Sequence, residues 1–129
     1  MCERSLRPSR ILICDDEPAL RELMRIALVG DYEFEEAETV AEAIEVAERF
    51  RPDIVLVDVM MPGGSGLDVV RHLAADPALN HAGCVVVSAF AAETDMEEAR
   101  EAGAAAFVSK PFDPDDLSAT VASLLVHDR

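Results

Sequence analysis

Five short apolar runs alternate with five stretches of helical periodicity, and this alternation constrains the fold more than any other feature. Ile11-Leu12-Ile13-Cys14, entered through Arg10, is continuous and ends in acid, as a parallel strand covered on both faces should. Leu20, Leu23, Met24, Ala27 and Leu28 then recur at helical spacing until Gly30. Tyr32 to Ala37 alternates weakly and reads as an edge strand, with a helix as the alternative. Thr39 with Glu42 forms a capping box ahead of Val40, Ala43, Ile44 and Ala47. Ile54-Val55-Leu56-Val57 is the clearest buried strand. After the turn Met61-Pro62-Gly63-Gly64, Ser65 caps a helix carrying Leu67, Val70 and Ala74. Cys84-Val85-Val86-Val87 is a fourth strand, and Thr94 with Glu97 a second capping box on a helix closed by Gly103. Ala105-Ala106-Phe107-Val108 is the fifth strand. Asp113 then caps a last helix that starts with Pro114 and turns Leu117, Val121, Leu124 and Leu125 inward.

Strict alternation of strand and helix with short connections implies right-handed crossovers, hence an α/β fold with one parallel five-stranded sheet and helices on both faces. A length of 129 residues holds one such domain, over residues 10–129, behind a loose leader at 1–9. Half of the residues are hydrophobic, so the acidity does not signal disorder. The net charge of −15 argues against nucleic-acid binding and against an anionic membrane, both of which need clustered Lys and Arg. No apolar run has the length of a membrane span. Cys2, Cys14 and Cys84 are odd in number and widely spaced, which points to a reducing, cytoplasmic setting. Cys14 and Cys84, inside strands, read as inert apolar fillers. His72, His81 and His127 have no zinc-binding spacing.

In an open parallel sheet, ligands bind beyond the carboxyl ends of the strands. Asp15 and Asp16 follow the first apolar run, Asp58 the third, Ser88 the fourth and Lys110 the fifth. Carboxylates brought together repel one another, and a hard divalent cation with oxygen ligands relieves the repulsion. Mg²⁺ suits the set because it accepts one or two carboxylates and keeps positions for water and a phosphate oxygen. A metal, an ammonium and a hydroxyl are together the parts of a phosphoryl-transfer site, with Asp58 a candidate nucleophile. Lys110 is the only lysine; the other ten basic residues are arginine, so a compact ammonium is kept at one strand end.

With those residues placed, the chain closely resembles the receiver domain of bacterial two-component response regulators. The match rests on Ile-Leu-Ile-Cys-Asp-Asp-Glu (11–17), Pro-Asp-Ile-Val-Leu-Val-Asp-Val-Met-Met-Pro-Gly (52–63), Gly66-Leu67, Val-Ser-Ala (87–89) and Gly-Ala-Ala-Ala-Phe-Val-Ser-Lys-Pro-Phe (103–112). The resemblance implies a doubly wound (βα)5 flavodoxin-like fold with strand order 2-1-3-4-5. It implies that Asp58 accepts a phosphoryl group from a sensor histidine kinase or a phosphotransfer protein. It further implies Mg²⁺ held by Asp16, Asp58 and the backbone carbonyl of Met60, with Asp15 acting through water. Lys110 then pairs with the phosphoryl group, next to a cis Lys110-Pro111 bond. Ser88 is the matching switch hydroxyl and Phe107 the aromatic that follows it, altering the face of the fourth helix, fifth strand and fifth helix. That face is where an output partner or a second copy, as a homodimer, would dock. Met60 and Phe90 depart from the polar residues of many relatives, which suggests slowed hydrolysis of the acyl phosphate. Phe107 lacks the hydroxyl of tyrosine-bearing members.

Two other readings use the same residues. A Mg²⁺-dependent aspartyl phosphatase would place a second aspartate two residues after its nucleophile, but Asp58 is followed by Val59-Met60. A receiver-like scaffold that works without phosphorylation typically loses an acidic ligand, the acceptor or the lysine, and this chain keeps all of them. The expectation is therefore a signalling module and not a substrate-converting enzyme.

Overall fold

The computed structural model describes residues 8–89 and 93–127. The chain runs β1 (Ser9–Cys14), α1 (Pro18–Ala27), β2 (Tyr32–Ala37), α2 (Val40–Phe50) and β3 (Ile54–Val57). It continues through α3 (Gly66–Ala75), β4 (Gly83–Ser88), α4 (Glu93–Ala102), β5 (Ala106–Ser109) and α5 (Pro114–His127). The five strands form one sheet in the order β2-β1-β3-β4-β5, and every pairing is parallel. A small antiparallel ladder between Met60–Met61 and Gly64–Ser65 folds the loop after β3 into a hairpin. This is the doubly wound flavodoxin-like fold that the alternation and the resemblance implied.

The continuous apolar runs are explained by burial on both faces. Successive side chains of a strand point to opposite sides of the sheet. Leu12, Cys14, Val55, Val57, Cys84 and Val86 therefore pack under α2 and α3 with Ala43, Ala47, Val69, Val70 and Leu73. Ile11, Ile13, Ile54, Leu56, Val85 and Val87 pack on the other side with Met24 and Ala27 of α1 and Leu117 and Val121 of α5.

Most helix starts follow the sequence signals. Glu42 donates its backbone N–H to Thr39 Oγ1 at 3.1 Å, while its carboxylate accepts from the N–H of Glu38, one residue upstream of the expected reciprocal partner. Ser65 Oγ accepts from Leu67 N–H at 3.1 Å and Asp68 Oδ2 from Ser65 N–H at 3.1 Å, a complete capping box. Asp113 Oδ1 accepts from Asp115 N–H at 2.8 Å at the start of α5. The helix α4 begins at Glu93, one residue before the Thr94 cap read from the sequence.

Three further expectations change. The helix α1 stops at Ala27 and not at Gly30, because Leu28 leaves it in an extended conformation and buries its own side chain beside Ile11 and Met24. Leu23 does not face the core; it is 48 % exposed, as the helix rolls Met24 and Ala27 onto the sheet instead. On α3 the inward stripe runs through Val69 and Leu73, while Ala74 is exposed.

Gly66, where α3 begins, is fixed by a close approach. Its N–H donates to Val59 O at 2.8 Å, and a Cβ there would run into the backbone carbonyl of Asp58. Gly66→Ala must therefore push α3 away from the end of β3. It is expected to destabilise the fold by about 1–3 kcal/mol in urea denaturation, the cost typical of overpacking; an unchanged midpoint would contradict this close approach.

Candidate functional site

The sheet ladder continues one residue past each strand, and this places the rim residues. Asp15 N–H donates to Ala37 O at 3.0 Å, Asp58 N–H to Cys14 O at 3.0 Å, and Lys110 N–H to Ser88 O at 2.8 Å. Backbone pairing thus fixes Asp15, Asp58 and Lys110 on the carboxyl rim before any side-chain contact forms. The Lys110-Pro111 peptide is cis.

The side chains converge from there. Lys110 Nζ donates to Asp58 Oδ2 at 2.7 Å and to Asp15 Oδ2 at 3.2 Å. The remaining oxygens take backbone donors: Asp58 Oδ1 accepts from Met60 N–H at 3.0 Å, and Asp15 Oδ1 from Glu17 N–H at 2.9 Å. Asp15 and Asp58 are buried, while Asp16 is exposed. Asp16 lines an open groove of about 430 Å³ with Val59, Met60, Met61, Pro62, Gly64 and Ser65. Met60, 61 % exposed, stands at the mouth beside the Asp58 carboxylate that its own N–H holds.

Burial pushes the Asp15 carboxyl above the ordinary aspartate range; the Glu17 N–H and Lys110 oppose the shift, and the charge of Asp58 adds to it. Burial alone would lower the Lys110 ammonium, but its hydrogen bond to Asp58 and the charges of Asp15 and Asp58 more than reverse this and raise it. One ammonium therefore faces three rim carboxylates. Among the described residues the oxygens of Asp15, Asp16 and Asp58 are not gathered within 4.8 Å of one another, with Lys110 bonded to two of the three. The excess negative charge and the hard oxygen donors fit a divalent cation such as Mg²⁺.

Ser88 is buried as the last residue of β4. Val86 pairs with Phe107 and Ser88 with Ser109, so the register puts Ser88 and Phe107 on one face of the sheet, diagonal to each other. Phe107 is partly buried against the α2–α3 side of the core and lines a cavity of about 270 Å³ with Met96, Ala99, Arg100 and Ala104 to Ala106. Phe90 lies outside the described residues. Cys14 and Cys84 are buried, and burial raises both thiols, Cys84 to about 12, which suits inert packing.

Two contributors were not read from the sequence. Arg21 Nη1 donates to the backbone carbonyl of Asp15 at 2.6 Å, and its Nε to Glu36 Oε1 at 2.8 Å, which ties the acidic loop to the edge strand. Asp15 follows β1 and Glu36 lies in β2, so the bridge between them is visible only once those strands are paired. An apolar cavity of about 310 Å³ lined by Leu20, Leu23, Ala89, Pro111 and Phe112 also opens beside Lys110, built from three separate stretches of chain.

The raised Asp15 pKa has a stability consequence. A carboxyl whose folded pKa exceeds its unfolded value costs the fold stability as pH rises through the folded value, and that cost vanishes below the unfolded value near about 3.9. Asp15→Asn is expected to raise Tm by a few degrees at pH 7 in metal-free buffer, with the gain shrinking toward pH 4. A gain that grew on acidification would contradict the sign.

Comparison with known proteins supports the same assignment. Residues 11–122 match the response regulator receiver domain family. The chain is 35 % identical over 116 residues to the phosphate regulon transcriptional regulatory protein PhoB of Pseudomonas aeruginosa, covering 89 % of this chain and 51 % of that protein. It is 33 % identical over 119 residues to the polar-differentiation response regulator DivK of Brucella anthropi, covering 92 % of this chain and 97 % of the relative. The chain thus spans about half the length of PhoB and nearly all of DivK. A putative response regulator from Chloroflexus aurantiacus superimposes with a TM-score of 0.87 at 27 % identity over 93 % of this chain and 99 % of that one. Both the sequence match and the sheet order lead to one conclusion: the chain belongs to the receiver domains of two-component response regulators.

Proposed function

We propose that this domain is a phosphorylation switch in which Asp58 accepts a phosphoryl group from a phosphohistidine on a sensor kinase or phosphotransfer protein. The observation that carries the reading is the Asp58 carboxylate, buried at the end of β3 with one oxygen on Lys110 Nζ at 2.7 Å and the other on Met60 N–H at 3.0 Å. A buried carboxylate held by one ammonium and one backbone N–H is oriented for attack.

In the transfer, an Asp58 oxygen forms the bond to phosphorus while the phosphorus–nitrogen bond breaks and its electron pair returns to the donor imidazole. Lys110, already bonded to Asp58 Oδ2, stays beside the phosphoryl oxygens as Asp58 loses its own carboxylate charge. Asp16, Asp58 and the Met60 carbonyl would hold Mg²⁺, with Asp15 acting through water, and the ion would supply the positive charge that this acid-rich rim lacks. The Ser88 hydroxyl then turns to a phosphoryl oxygen, and Phe107, on the same face of the sheet, follows it. The changed surface is that of α4, β5 and α5, where an output partner or a second copy docks. The domain is a signalling module in the cytoplasm, without direct binding of nucleic acid. Among the described residues no helix is long and apolar enough to cross a membrane.

Intact-mass spectrometry with acetyl phosphate tests this reading. One phosphoryl adduct is expected with Mg²⁺, and none without Mg²⁺ or in Asp58→Asn; no adduct on folded protein saturated with Mg²⁺ would favour the scaffold reading instead. The hydrolysis of that adduct probes a finer point. Met60 and Phe90 are proposed to keep water from the acyl phosphate, so Met60→Asn should shorten its half-life several-fold, and an unchanged half-life would remove Met60 from this role.

A further inference from the structure

The opposite rim of the domain carries a second group of metal-binding side chains. Helices in this fold run antiparallel to the strands, so the last turns of α2 and α3 lie at the end of the sheet away from Asp58. There Glu48 of α2, His72 of α3 and Asp76, the residue that caps α3, bring one donor atom each to within 4.8 Å of one another. We infer that Glu48, His72 and Asp76 form a second cation site, selective for a zinc-type ion and independent of the phosphoryl site.

The spacing supports this on three counts. His72 and Asp76 are four residues apart, which puts both on one face of a helix end. His72 Nε2 lies 3.3 Å from Glu48 Oε2. That is long for a strong hydrogen bond but equals the donor–donor edge of about 3.3 Å around a tetrahedral Zn²⁺ with ligand bonds near about 2.0–2.1 Å. Asp76 is also held in place, because its Oδ1 accepts from Ala78 N–H at 2.9 Å and so restrains the carboxylate that would ligate.

The chemistry then selects the ion. One imidazole nitrogen and two carboxylates form a borderline donor set that suits Zn²⁺ better than Mg²⁺, with a fourth position left to water. Both helices also turn the negative ends of their dipoles toward this place, an attraction for a cation that does not depend on the side chains. Binding there would clamp α2 to α3, which pack against each other.

Isothermal titration with Zn²⁺ in excess Mg²⁺ tests the site. One equivalent of Zn²⁺ is expected to bind the intact chain, to survive Asp58→Asn, and to bind at least tenfold more weakly in Glu48→Gln, which keeps size and fold. His72→Ala should abolish it, with folding checked by circular dichroism, and Zn²⁺ should shift the His72 ring signals in NMR. Equal Zn²⁺ binding by His72→Ala or Glu48→Gln, or no binding at all, would reduce the cluster to an interhelical polar contact and overturn the proposal. Because the readout uses neither phosphodonor nor Asp58, it stands apart from the test of the phosphorylation switch.

Discussion

Burial of the sheet on both faces is the constraint from which the rest follows. The three central strands of a parallel sheet between two helical layers have little room for polar side chains, so the runs 11–14, 54–57 and 84–87 are apolar without interruption. Polar chemistry is forced to the strand ends. There the backbone ladder runs one residue further and fixes Asp15, Asp58 and Lys110 in mutual register. These three residues are positioned as the last rungs of the sheet and not as the tips of loops.

The electrostatics of the rim follow from that placement. Two buried carboxylates on neighbouring strands would repel, and Lys110 bonds to both from the end of β5. A single ammonium does not balance Asp15, Asp16 and Asp58, and burial of Asp15, with a smaller push from the charge of Asp58, raises its pKa in spite of Lys110. The isolated domain therefore holds unsatisfied negative charge at one place, which biases it toward a divalent cation. Transfer of a phosphoryl group to Asp58 would change that balance in a confined volume, and a change of this kind can move a two-state element. The register sets Ser88 diagonal to Phe107, which lines the cavity beneath α4.

Much of this was legible in the sequence, for identifiable reasons. Period-2 and period-3.6 patterns, with Thr39, Ser65 and Asp113 as caps, place nearly every element, because doubly covered strands and amphipathic helices leave strong local signatures. The rim residues were legible because each directly follows an apolar run. What depended on packing between elements was not. Leu23 fits the apolar repeat of α1 as well as Met24 does, and only the roll of the helix on the sheet decides which is buried. Arg21 sits in an ordinary run of helix, and its bridge from the Asp15 carbonyl to Glu36 exists only because β1 and β2 pair alongside. Gly66 could be read as a motif residue, but its physical reason, the backbone carbonyl of Asp58 where a Cβ would sit, is a tertiary fact.

The same limit explains why Glu48, His72 and Asp76 escape a reading of spacing alone. His72 and Asp76 are a plausible half-site on one helix, but the third donor lies 24 residues before His72 on another element. Strand-to-helix alternation sends every helix C-terminus to the rim opposite Asp58, so two neighbouring helices deliver their last-turn side chains and their negative dipole ends to one place. A doubly wound domain thus has two chemically distinct ends. One is built from strand termini and backbone rungs. The other is built from helix termini and long side chains, and its geometry depends on how α2 and α3 pack. An ion bound at the second end would tighten that packing without touching Asp58, because the two ends share a sheet but no side chain.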